Sequence, residues 1–133
     1  MILGIDRHWS IALVGVGNLG MALLSYRGFS SQGFHISSAF DSDATKHGRR
    51  IGHIVVRPVE ELSRVAREEN IQMAIVTVPP AEAQTVIDQV AAAGIRGILN
   101  FAPVKVQVPA GVKLVRVDLS IEMEYLSYLL TNE

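Results

Sequence analysis

The feature that most restricts the fold of this chain is a glycine loop set between two apolar runs. Residues 11–14, Ile-Ala-Leu-Val, are a continuous apolar segment of the kind that a strand buried on both faces requires. Gly15, Val16, Gly17, Asn18, Leu19 and Gly20 follow it. In this order Gly15 permits a sharp turn, Gly17 lets the backbone approach a pyrophosphate, and Gly20 lets the next helix pack closely on the strand. That helix is expected over residues 18–27, with its free N–H groups and positive dipole end toward the phosphates. Residues 34–40 read as the second strand, ending at Asp41. Asp41 stands about twenty residues beyond the glycines, where a carboxylate can accept hydrogen bonds from both ribose hydroxyls of an adenosine. The glycines alone are a weak signal, because they also serve simply to shape a tight turn. Strand, loop, helix, strand and acid in register together point to a dinucleotide site.

The rest of the chain repeats this alternation. Residues 1–9 read as a lead-in strand or the remnant of a linker, with Trp9 packing at the sheet edge. Gly28 stands where a helix C-cap glycine belongs, and residues 42–50 read as a polar loop. Residues 51–56 are a third short strand, and Pro58 suits the first turn of the helix that carries Leu62, Val65 and Ala66 on one face. Strands are expected at 73–78, 95–101 and 112–117, with a long helix at 81–93 that Gly94 stops. Such alternation predicts a parallel, doubly wound sheet with helices on both faces, and 133 residues suffice for one Rossmann-like unit.

The last run, residues 118–132, is expected to be a helix started by Asp118 or Ser120. Ile121, Met123, Tyr125, Leu126, Tyr128, Leu129 and Leu130 spread its apolar surface over more of the circumference than one sheet face would bury. That excess points to burial against a second chain, the alternative being a deeply tucked terminal helix.

Composition narrows the function. A hydrophobic fraction of 49% with 19% charged residues describes a compact soluble domain. The formal charge of −1 leaves no electrostatic footprint for nucleic acid. Cysteine is absent, which removes disulfides and thiol chemistry. No apolar run is long enough to span a bilayer and no signal-peptide core opens the chain, so a cytoplasmic protein is expected.

Ligands of open α/β sheets bind beyond the carboxyl ends of strands, near the switch in strand order. Three further strand ends therefore count: Thr77-Val78-Pro79, Asn100-Phe101-Ala102 and Asp118. Thr77 and Asn100 offer a hydroxyl and an amide beside a nicotinamide or ribose, although ordinary turn chemistry explains each equally well. Arg49 and Arg50 are positioned to accommodate a 2′-phosphate, but Asp41 would repel one, which favours NAD(H) over NADP(H). His8, His35, His47 and His53 show no metal-ligand spacing, and no Ser/His/Asp set or His/Asp pair is present, so neither a catalytic nor a metal residue is assigned.

With these segments in place, the sequence resembles the C-terminal NAD(H)-binding domain of the Rex family of redox-sensing transcriptional repressors. The resemblance is carried by residues 2–9 (Ile-Leu-Gly-Ile-Asp-Arg-His-Trp), by Val14 to Gly20, and by Ala39-Phe40-Asp41-Ser42-Asp43 with Gly48. It continues through Thr77 to Pro80 with Ala83-Gln84, through residues 93–103 (Ala-Gly-Ile-Arg-Gly-Ile-Leu-Asn-Phe-Ala-Pro), and through Val117-Asp118-Leu119. It implies a homodimer that senses the NADH/NAD+ ratio, with NADH disfavouring the state that holds operator DNA. It implies that the glycine loop takes the pyrophosphate, Asp41 the adenosine ribose, and Asn100-Phe101-Ala102 the nicotinamide side, with Asp43 a further cofactor-binding candidate. It also implies that the C-terminal helix is exchanged between subunits. Two departures stand out. The family's winged-helix DNA-binding domain has no counterpart in these residues, so operator DNA would be reached only through such a domain. Leu119 also replaces the Phe that commonly follows Val-Asp, and Asp118 matches an acid that couples the cofactor site to the missing domain. The competing readings are the nucleotide-binding part of a dehydrogenase and a CoA-binding Rossmann domain. Asp41 opposes the latter, because CoA carries a 3′-phosphate on its ribose.

Overall fold

The computed structural model describes residues 8–132, so the expected lead-in of residues 1–7, and most of the first resemblance motif, lie outside the described residues. In chain order the elements are β1 (Trp9–Val14), α1 (Asn18–Ser25), β2 (Phe34–Asp41), β3 (Arg50–Ile51), β4 (Ile54–Pro58), α2 (Leu62–Glu68), β5 (Met73–Val76), α3 (Pro80–Ala92), β6 (Gly97–Asn100), β7 (Lys113–Arg116) and α4 (Leu119–Thr131). The seven strands form one sheet in the order β3-β4-β2-β1-β5-β6-β7, parallel except for the β3–β4 pair. This is a Rossmann-like α/β fold with a doubly wound sheet.

β1 lies at the centre, which is why its sequence is uniformly apolar: Ala12, Leu13 and Val14 expose nothing. The chain builds outward from it in both directions, so the switch in strand order falls between β1 and β5, at the carboxyl ends where the glycine loop and Thr77 stand. On one face Val59, Leu62, Val65 and Ala66 of the α2 region and Ala83, Val86, Ile87 and Val90 of α3 pack on Ala12, Val14, Phe40, Ala74, Val76 and Ile98. On the other face Leu23 and Leu24 of α1 pack against the cluster of Ile11, Leu13, Val16, Ala39, Ile54, Val56 and Ile75.

Among the described residues that second face is only half covered. The segment from β6 to β7 forms no helix. An apolar hollow of about 450 Å3, lined by Ile11, Phe34, Met73, Ile75, Leu99 and Val115 among others, is left over β5, β6 and β7. α4 does not fill it, for no residue of α4 is buried.

Several boundaries differ from the expectation for local reasons. α1 stops at Ser25 because Tyr26 turns extended (ψ 122°), so Gly28 is not its cap; Gly28 instead lies against the Tyr26 ring, where a side chain would collide. The expected third strand is a small hairpin, with Gly52 at φ +64° in the turn between β3 and β4. Pro58 closes β4 and caps a 3₁₀ turn at Val59–Glu61 that leads into α2, so it stands just before the first turn rather than in it. Trp9 opens the central strand, pairing with Phe34 of β2, so it is not at the sheet edge. Among the described residues no helix is long and apolar enough to cross a membrane.

Candidate functional site

The three glycines of the loop do three different things. Gly15 has φ +103°, and a Cβ there would stand 2.8 Å from the Thr77 carbonyl carbon and 2.9 Å from its oxygen. The turn is pinned on both sides: the Gly15 N–H donates to the Phe40 carbonyl (2.8 Å), the Thr77 N–H to that of Val14 (2.9 Å), and the Thr77 hydroxyl to that of Gly15 (2.6 Å). Gly20 lies inside α1, and a Cβ there would run into the Gly15 carbonyl oxygen, so the helix can approach the strand only with glycine at this point. At Gly17 the space is open, with no heavy atom within 4 Å of where a Cβ would stand. No side chain caps α1, whose first N–H groups are therefore left facing outward from the loop.

Asp41 ends β2 with 9% of its surface exposed. Its Oδ2 accepts the Val16 N–H at 2.8 Å, and its Oδ1 accepts the Asp43 N–H at 2.9 Å. The Lys46 ammonium stands 3.7 Å from Oδ2. The carboxylate thus ties the glycine loop to the turn after β2. That turn is itself built: Asp43 caps a single 3₁₀ turn (Ala44–Lys46) by accepting the Thr45 N–H at 2.9 Å and hydroxyl at 2.7 Å. These two bonds, the hydroxyl first, hold the Asp43 carboxyl below its ordinary value of 3.8. At the far end of the turn His47 Nε2 lies 2.6 Å from the Asp41 carbonyl, which can only accept, so the ring donates from Nε2.

Between loop, turn and the β5–α3 connection lies a cleft of about 560 Å3, within the usual size of a small-molecule site. Of the residues singled out in the sequence, Gly15, Gly17, Leu19, Asp41, Asp43, Thr77, Val78, Pro79 and Phe101 line it. The sequence reading missed Val16, Ser42, Lys46 and Glu82, which line it too. Glu82 sits in the first turn of α3 and accepts the Ser42 hydroxyl at 3.3 Å, across the cleft mouth. A signal for Lys46 was present in Asp43-Ala44-Thr45, a cap pattern that curls the next residue back toward β2.

Other expected site residues do not reach the cleft lining. Asn18 is exposed at the start of α1, and Gly20 serves packing. Asn100 is fully buried and turned onto its own loop, its Oδ1 accepting the Ala102 N–H at 3.1 Å and its Nδ2 donating to the Ala102 carbonyl at 3.4 Å. Ala102 belongs to the core. Asp118 caps α4, accepting the Ser120 N–H (3.0 Å) and hydroxyl (2.6 Å), with Arg116 at 3.3 Å. The Ser120 hydroxyl bond, chiefly, keeps its carboxyl below 3.8. Arg49 and Arg50 are exposed and do not line the cleft; the cation that does is Lys46.

A doubly wound parallel sheet with an open glycine loop and an acid at the end of the second strand defines a nucleotide-binding α/β domain. The chain belongs to the family described as CoA binding domain, whose model matches residues 6–104. It is 45% identical over 96% of its length to the redox-sensing transcriptional repressor Rex of Desulforamulus reducens, and spans 60% of that protein. In structure it is similar to RSP, a Rex-family repressor, in complex with β-NADH: TM-score 0.91 and 34% identity, covering 96% of this chain and 62% of that one. The same repressor with β-NAD+ and operator DNA gives TM-score 0.90 at 34% identity, with 96% of this chain and 59% of that one covered. The chain therefore spans about 60% of the length of the relatives it matches.

Proposed function

We propose that this chain, as a single domain over residues 1–133, is the NAD(H)-binding, redox-sensing part of a Rex-like repressor. It would respond to the NADH/NAD+ ratio rather than catalyse a reaction. The observation that carries the reading is the cleft over the Gly15–Gly20 loop closed by Asp41. The residues present leave room for a dinucleotide: the space at Gly17 is open, with no heavy atom within 4 Å of where a Cβ would stand, and no side chain caps the start of α1, whose N–H groups remain for an anion. Gly15, Gly17 and Leu19 would take the pyrophosphate, with Asn18 at the exposed start of α1 beside it and Gly20 letting the helix approach; Asp41 would take the adenosine ribose, with Asp43 on the same cleft wall. Asp41 has lone pairs to spare beyond its two backbone bonds. Thr77, Val78, Pro79 and Phe101 would floor the cleft, with Asn100 and Ala102 holding the Phe101 loop in shape. The dinucleotide supplies the redox state; the protein reads it through shape. The relatives' names, and a similar chain complexed with β-NADH, support the same reading.

A homodimer through α4 belongs to this proposal. Ile121, Met123, Tyr125, Leu126, Tyr128, Leu129 and Leu130 are all 46–65% exposed, an apolar surface that a single copy leaves in water. The hollow over β5, β6 and β7 is a second apolar surface left open by the described residues. Mutual covering of such surfaces satisfies both. Operator DNA would be held through a winged-helix domain of the kind the resemblance implies, with residue 118 at the junction.

Calorimetric titration with NADH, NAD+, NADPH and CoA, with solution mass recorded alongside, tests the proposal. Tight NADH, weaker NAD+ and a dimer are expected. Binding of CoA in place of NADH would instead support the reading that the family's description carries, and binding of none would remove the function.

A further inference from the structure

We infer that Lys46 is the specificity-determining cation of the adenosine subsite, a phosphate receptor that Asp41 keeps neutralised. The inference rests on the cofactor reading above and deepens it. Acid at the end of β2 is expected to discriminate against a ribose phosphate by simple repulsion. Here the carboxylate does not stand alone. The Lys46 ammonium is 3.7 Å from its Oδ2, with about a quarter of the Lys46 side chain exposed and both residues on the wall of the same cleft. Two backbone N–H groups already point at that carboxylate, so it is held in place without the lysine. Lys46 is therefore not needed to fix Asp41, and its charge faces the subsite.

The position of Lys46 is also built. Asp43 caps the turn from one side, the Lys46 N–H donates to the Asp43 carbonyl at 3.0 Å, and the His47 ring closes on the Asp41 carbonyl from the other. A lysine carried on a capped, doubly anchored turn loses less freedom on meeting an anion than one on a loose loop. Arg49 and Arg50, the cations nearest in sequence, lie outside the cleft lining. Discrimination between NADH and NADPH is thus a balance between the two charges of one pair. With the pair intact, a 2′-phosphate must displace a carboxylate from its cation. With the carboxylate removed, the cation is released to the phosphate.

The test is a four-way cycle on the full chain: wild type, Asp41→Asn, Lys46→Met and the double variant, each titrated with NADH and NADPH after circular dichroism. Asp41→Asn should raise the NADPH:NADH affinity ratio by about tenfold, the scale of one charge-assisted contact at a partly exposed site. Adding Lys46→Met should return the ratio close to the wild-type value, whereas adding Arg49→Gln and Arg50→Gln should leave it raised. A ratio that stays high without Lys46, or falls when the two arginines are removed, overturns the inference. If Asp41→Asn does not fold, the exposed-turn variant Lys46→Met still decides. It must lower the NADPH:NADH ratio of the wild type while Lys46→Arg preserves it, and an unchanged ratio overturns the inference. Absence of binding of either dinucleotide to the wild type would instead remove the cofactor reading, and the inference with it.

Discussion

α3 and α4 are both thirteen residues long, and they meet opposite fates. α3 carries Glu82, Gln84, Gln89 and Asp88 on one side and buries Ala83, Val86, Ile87 and Val90 on the other. α4 is the more apolar helix and buries nothing. A stripe matched in width to a sheet face finds that face within its own chain; a helix apolar around most of its circumference is left uncovered by the described residues. The comparison separates a helix whose apolar face is covered within the described residues from one whose apolar surface is not.

The largest expected effect lies in α3. Ile87→Ala removes a side chain with no exposed surface and should cost about 2–5 kcal/mol, read as a fall in the denaturant midpoint at constant slope. Next comes the loop between β1 and α1, packed against Thr77. Gly15→Ala forces a Cβ into a left-handed φ and onto the Thr77 carbonyl, so a loss of about 1–3 kcal/mol in thermal stability is expected, together with loss of NADH binding. In α4, Leu126→Ser with Leu129→Ser should leave the unfolding free energy of the dilute protein nearly unchanged. It should weaken self-association at least about tenfold in sedimentation, since each serine removes an apolar anchor of roughly 1.5 kcal/mol or more from an interface. If that pair destabilises the monomer as Ile87→Ala does, α4 is tucked into its own chain and the contrast drawn above fails.

The smallest effect sharpens the same contrast at the start of α4. The Asp118 carboxyl lies below its ordinary value of 3.8 in the folded chain because it accepts the Ser120 hydroxyl and backbone bonds. A depressed folded value contributes stability above the unfolded value and loses it as pH falls through the folded one. Helix content at α4 should therefore decline on acidification below about pH 4, and Asp118→Asn, which keeps a capping oxygen, should abolish that acid step in circular dichroism.

Much of the fold was legible along the chain because local rules act there without competition. The run Ile11–Val14 read as a strand buried on both faces, and the spacing Gly15, Gly17, Gly20 marked turn, opening and close approach in that order. Asp41 was legible too, as the acid at the end of the second strand. Less legible was what Asp41 does with its oxygens. Its bonds to Val16 and Asp43, and its pairing with Lys46, depend on a turn that folds back after β2. Asn100 misled for the converse reason: an amide at a strand end looks like a ligand contact until its loop claims it.

By itself, then, the sequence determined the alternation of strands and helices, the place of the glycine loop and the excess of apolar surface on the last helix. These follow from side-chain periodicity and from the backbone freedom of glycine, which are properties of neighbours in the chain. Only the tertiary structure decided which strand ends converge on one cleft, that Lys46 rather than Arg49 or Arg50 faces Asp41, and that the sheet beside β7 is left bare. Those depend on the order β3-β4-β2-β1-β5-β6-β7 and on contacts between residues far apart in sequence, such as Gly15 with Thr77. Long-range pairing is chosen by the packing of the whole, and no local pattern records it.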